Sequence, residues 1–118
     1  MKTSELTGAD LDYWVAKAQG GRDHKISPEI WRFSDGSNAS KKDYHPSTNW
    51  AQCGELIEKF ELLVFKDTAW TAQYGDYAFE QEHGETPQEA IGRAVVASVF
   101  GDTVGVGLPD GKEEVSDE

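Results

Sequence analysis

Residues 44–58 read Tyr44-His45-Pro46-Ser47-Thr48-Asn49-Trp50-Ala51-Gln52-Cys53-Gly54-Glu55-Leu56-Ile57-Glu58, and here the chain gathers its densest set of groups able to do chemistry. Ser47, Thr48, Asn49 and Gln52 supply hydroxyl and amide donors and acceptors around one indole. An aromatic anchor ringed by such groups has the make-up of a binding hot spot. The competing reading assigns the same hydroxyls and amides to local turns and helix caps and places Trp50 in the core. The candidate binding set is Tyr44, Ser47, Thr48, Asn49, Trp50 and Gln52, joined by Arg93. As one of three arginines, Arg93 either pairs with an acid of a neighbouring hairpin or presents its guanidinium beside the stretch.

Other reactive side chains form weaker patterns. His24, His45, His83 and Cys53 lack the short spacings of a zinc site, and Cys53 follows His45 by eight residues. No metal or other cofactor is expected. A Cys53 nucleophile activated by His45 is conceivable, but the apolar neighbours and the lack of a glycine-rich oxyanion loop speak against it. Glu55, Glu58 and Glu61 recur at intervals of three, and Glu80, Glu82, Glu85 and Glu89 crowd the approach to the last helix. They can serve as acids or bases, yet nothing in the sequence marks one of them as buried, so they read as a solvated acidic surface.

The 118 residues suffice for one domain with one core, and 37% apolar residues with thirteen Phe, Trp and Tyr can fill it. A single cysteine excludes an intramolecular disulfide and fits a reducing compartment. No apolar run approaches the ~20 residues of a membrane span. Twenty-two acids against eleven bases give a net charge of −11, which argues against direct nucleic-acid binding, since Lys and Arg supply that affinity. Residues 110–118 contribute −4 as an acidic flexible tail, leaving a single domain over 1–109.

The elements that must position the stretch follow from periodicity and punctuation. A helix is expected over 6–19, with Thr7 as cap, Asp10 in a capping-box position, Leu6 and Leu11 as a staple, and Leu11, Trp14, Val15 and Ala18 as its apolar stripe. Gly20-Gly21 ends it. Residues 29–33 alternate as a short strand, 34–38 form a turn, and 39–43 a mobile polar loop. Within the central stretch, a short helical turn over 50–52 ends at Gly54, and Leu56 and Ile57 anchor the segment to the core. Residues 60–66 and 69–74 form a hairpin about Asp67-Thr68, and 77–80 a third strand. Thr86-Pro87-Gln88-Glu89 starts the clearest helix and Gly101 stops it, with Ile91, Ala94, Val95, Ser98 and Val99 buried and Ala90 and Ala97 allowing close approach to a sheet. Residues 104–106 add an edge strand. The class is α+β: a small antiparallel sheet with two helices packed on one face, plus an irregular central segment.

Three motifs carry a family resemblance. The run 46–52 followed by Gly54 and Leu56-Ile57-Glu58, the opening Leu6-Thr7-Gly8-Ala9-Asp10-Leu11-Asp12-Tyr13-Trp14-Val15, and Gly84-Glu85-Thr86-Pro87 with the helix after it resemble the NinX-like family of small bacteriophage and prophage proteins. The chain departs from the pattern at Asn49, Cys53 and Glu55, where the resemblance leads one to expect aspartate, glycine and proline. If the family uses that aspartate as a base or ligand, Asn49 cannot, because an amide does not titrate. The resemblance implies a phage-encoded protein in the cytoplasm of a bacterial host and no particular reaction.

Three functions compete. The first is a non-enzymatic accessory protein that binds a host or phage protein through the central stretch. The second is an acidic mimic of nucleic acid that occupies a host DNA-binding protein, weakened by how few acids the helices carry. The third is a small enzyme, for which no phosphate loop, metal cluster or nucleophile motif is present. Exposed tryptophans would equally support a homodimer.

Overall fold

The computed structural model describes residues 1–105. Its elements in chain order are α1 (Gly8–Ala18), β1 (Arg22–Asp23), β2 (Ile30–Arg32), β3 (Asn38–Ser40), α2 (Trp50–Lys59), β4 (Leu63–Lys66), β5 (Trp70–Gln73), β6 (Gln81–Gly84) and α3 (Pro87–Phe100), with single 3-10 turns at Thr3–Glu5 and Lys41–Asp43. The class is α+β, built on two three-stranded antiparallel meanders, β1-β2-β3 and β4-β5-β6. Three helices and two sheets thus replace the expected two helices over one sheet.

α3 is the hub because its sequence is apolar almost all round: Ala90, Ile91, Gly92, Ala94, Val95, Val96 and Ala97 are all buried. Such a helix must be covered on several sides. Gly84 lets β6 lie against its first turn, where a Cβ would stand 2.7 Å from the Ala90 nitrogen. Gly92 faces Leu11 of α1, whose side chain a Cβ would meet at 3.1 Å. Leu11, Trp14, Val15, Cys53, Leu56, Leu62 and Ala72 complete this core. Ser98 and Val99, expected inside, are exposed, since the buried face runs instead through Val96 and Ala97.

A second, smaller core lies on the other side of α1, where Ala16 packs with Trp31 and Phe33. α1 therefore buries residues of two faces. Tyr13 and Tyr44 pack against both cores and tie them together.

Several boundaries differ from expectation for identifiable reasons. α2 continues through Gly54 to Lys59, because Cys53, Leu56 and Ile57 at i, i+3 and i+4 pack inward and outweigh the ~1 kcal/mol cost of one helical glycine. The second half of the central segment is therefore a regular helix. Residues 39–43, expected as a mobile polar loop, fall in β3, which begins at Asn38, and in a 3-10 turn, with Trp31 paired to Ala39. β4 begins only at Leu63, after Glu61 turns the chain at φ 54°. Residues 77–80 make the β5–β6 connection, and the third strand follows at Gln81–Gly84.

Thr7 occupies the cap position of α1 with extended backbone, but its side chain makes no cap bond and Asp10 completes no box. Leu6 and Leu11 are both fully buried. At the opposite end, the Val104 amide donates to Met1 O at 2.9 Å and Thr3 N to Asp102 O at 2.8 Å, so residues 101–104 run beside the N-terminal segment. Val104 lies in no strand. Val106 and the tail 110–118 lie outside the described residues.

Candidate functional site

The central stretch is fastened from below by α1. Ser47 donates to Asp12 twice, from its amide to Oδ1 at 2.8 Å and from Oγ to Oδ2 at 3.0 Å. Burial pushes the Asp12 carboxyl above its usual range, while the two Ser47 bonds and the nearby His45 pull part of the way back. Pro46 beside it is fully buried. The stretch therefore sits on α1 as a fitted part.

Local bonds then fix its backbone. The Thr48 and Asn49 amides both donate to His45 O, at 3.0 and 2.9 Å. Asn49 Oδ1 accepts from Gln52 N at 3.1 Å and caps α2. Gln52 reaches back with both ends of its amide, accepting from His45 N at 2.8 Å and donating to Asp43 O at 2.7 Å. Thr48 Oγ1 lies 3.2 Å from His45 Nδ1. Tyr44 tilts against Phe33, with ring centroids 5.3 Å apart, and its hydroxyl meets Gln19 Nε2 at 2.5 Å. Burial raises the Tyr44 phenol above its usual pKa, so it stays protonated.

Thr48, Asn49 and Gln52 thus do the local turn and cap work of one sequence reading, while Ser47 bonds across to α1. Trp50 follows the other: it begins α2 with 53% of its surface exposed. A scaffold of satisfied polar groups presents one open indole.

A cavity of about 310 Å³ adjoins this scaffold, lined by Asp12, Tyr13, Trp31, Lys41, Tyr44 and His45 among others. Lys41 Nζ stands 4.5 Å from the Trp31 ring centroid and 2.5 Å from Asp23 Oδ1. Asp12 and Lys41 were missed from sequence. Asp12 lies off the apolar stripe of α1 and so reads as solvated, and only the docking of Pro46-Ser47 covers it.

Arg93 is not part of this group. Its Nε donates to Leu6 O at 2.9 Å, Nη1 donates to His83 O at 2.7 Å, and Nη2 lies 3.5 Å from Glu89, fixing it across β6 and the N-terminal segment. It lines another cavity, with Trp70, Glu82 and His83. Glu82 also departs from the solvated acidic surface, being buried, whereas Glu55, Glu58, Glu61 and Glu85 are exposed.

Cys53 is fully buried and its thiol is pushed up to about 12 by burial and by Asp12, so it lacks the thiolate a nucleophile needs. Among the described residues no three His, Cys, Asp or Glu side chains converge as metal ligands. Likewise, among them no helix is long and apolar enough to cross a membrane.

Fold and site together define a small α+β domain with a hydrogen-bonded central segment docked on α1. The family model described as Bacteriophage P22, NinX matches residues 2–99, and the chain belongs to that family. No curated protein matches it. Membership makes this a phage-type protein and brings no reaction with it.

Proposed function

We propose that the protein is a non-enzymatic accessory module of a bacteriophage that docks on a host or phage protein in the host cytoplasm, with Trp50 as anchor and residues 44–58 as frame. The observation that carries this reading is the exposure of Trp50 beside a polar segment held by hydrogen bonds. Trp14 and Trp31 are buried and Trp70 is half-buried, so solubility alone would favour a polar residue at position 50. A frame already held by hydrogen bonds loses little entropy on docking, and a large indole supplies much of an interface's energy. The amide of Asn49 and the buried thiol of Cys53 offer no acid, base or nucleophile, which fits binding better than turnover.

The test is fluorine NMR of protein labelled with 5-fluorotryptophan, placed in lysate of infected host cells. The Trp50 resonance, assigned with Trp50→Phe, should broaden or shift while those of Trp14 and Trp31 hold. Four resonances unchanged in every lysate would defeat the proposal.

A further inference from the structure

The cavity of about 440 Å³ beside Arg93 opens between the Thr3–Glu5 turn, the β4–β5 turn, β6 and α3, and its size is that of a small-ligand site. Ala69 and Trp70 give it an apolar wall. β5 and β6 pair Trp70 with Gly84 and Ala72 with Glu82, so Trp70 and Glu82 project from the same sheet face and both line the cavity.

Glu82 is only 8% exposed, and among the described residues its carboxylate accepts no hydrogen bond and makes no ion pair. Among the described residues Arg32 Nε is the one enclosed polar side-chain atom without a partner, so the Glu82 oxygens reach the water of the cavity and have no protein group bonded to them. Arg93 attracts Glu82 electrostatically but is already committed to Leu6 O, His83 O and Glu89. Asp102 repels it. The cavity lining sets Lys66 and Arg93 against Glu82 and Glu85, but Arg93 is held by other partners and Lys66 lies over the Trp70 ring, so neither neutralises Glu82 at ion-pair distance. A cation would neutralise that carboxylate, whereas an anion would be repelled by it and a neutral donor would leave its charge standing. The indole face already takes a cation: Lys66 Nζ lies 5.7 Å from the Trp70 centroid, and this exposed lysine has no ion pair among the described residues to hold it there.

We infer that this cavity binds an alkyl chain ending in an ammonium or guanidinium group, the head on Glu82 and the stem along Trp70. Such a group comes either from a free amine or from a lysine or arginine side chain of a partner. The site is separate from the Trp50 surface and stands without it.

The test uses the full chain with carboxyl-labelled glutamate. Agmatine represents a free amine, N-acetyl-arginine amide a protein side chain, and N-acetyl-citrulline amide the uncharged control. At least one of the two cations should shift the Glu82 carboxyl and Trp70 indole resonances saturably and move the Glu82 titration to lower pH; the citrulline compound should do neither. Agmatine alone would identify the source as a free amine, the arginine compound alone as a partner side chain. Glu82 is faced by Arg93 and Asp102 from α3 and its end and by Tyr74 from β5, with Lys66, His83, Glu85 and Glu89 around the cavity. Resonances resolved by residue separate the acids among them. Glu82→Gln should weaken the effect at least about tenfold. The inference is overturned if neither cation moves the Glu82 titration, if the citrulline compound acts equally, or if a folded Glu82→Gln binds as tightly as the parent. Should that variant not fold, the parent titration decides.

Discussion

At the scale of single residues, Trp50 differs from Trp14 in what the fold gains from the ring. Trp14 is buried and meets the rings of Tyr13 and Phe100 edge-on at 5.2 and 5.5 Å at the margin of the core, whereas Trp50 spends half its surface on water. Cys53 belongs with the interior. With its thiol pushed up to about 12 and its surface covered, it should resist a thiol reagent such as Ellman's in the native protein and react only on unfolding; fast native labelling would contradict that placement. Glu82 carries a prediction about pH. Burial, first, and Asp102 raise its carboxyl above the ordinary 4.5, with Arg93 opposing. The folded state therefore holds the proton more tightly than the unfolded chain, so in the window just above 4.5 it binds more protons and stability falls as pH rises. Glu82→Gln should remove that fall and raise the urea midpoint at neutral pH, and a midpoint unchanged at every pH would refute it. The cap at Thr86 was legible in the sequence because a cap needs only residues within one turn, whereas for α2 Ser47, Thr48 and Asn49 stood open until the structure placed Asn49 there. Glu82 was not: whether it or Glu80 is buried depends on where β6 begins, and that is set by the register with β5.

At the scale of elements, α3 was the most readable part because its signals agree. Thr86 Oγ1 accepts from Glu89 N at 3.1 Å, Pro87 opens the helix, and Gly101 closes it at φ 85°. Glu89 departs from the usual box by accepting from Glu85 N, one residue before the cap, at 3.0 Å. Thr86→Ala should cost about 1 kcal/mol in chemical denaturation. A variant as stable as the parent would show that the cap contributes nothing. α2 was less readable, because Gly54 is a stop signal when only neighbouring residues are weighed. Nothing lies within 4 Å of its missing side chain, so the residue is tolerated on an open helix face while Cys53 and Leu56 bury the opposite one. β3 was invisible for a related reason: Asn38-Ala39-Ser40 has no strand pattern and pairs because Trp31 on β2 and Phe33 just after it need a neighbour above the second core. Short strands are decided by what lies beside them.

At the scale of the molecule, α1 separates two cores, and the 44–58 stretch meets both through Tyr44 while Ser47 holds it to α1. Local signals can specify each helix, but they cannot show that Pro46-Ser47 closes over Asp12, because that contact joins residues 35 positions apart. The same long reach sets Arg93 against Leu6, 87 positions away, which removes it from the central stretch, one of the two places the sequence left open for it. What remained legible was the stretch itself, since Thr48, Asn49 and Gln52 are spent on caps and turns and Trp50 is its one large exposed apolar group. Removing that ring should leave both cores untouched. The most direct measurement is the yield of partner captured from infected-cell lysate by wild type and by Trp50→Ala, washed at low and high salt, beside a thermal melt of each. A salt-resistant partner lost with Trp50→Ala is expected, with a melt within about 1 kcal/mol of wild type, as for an exposed surface substitution. Equal capture by both proteins, or a salt-labile partner indifferent to Trp50, would contradict it.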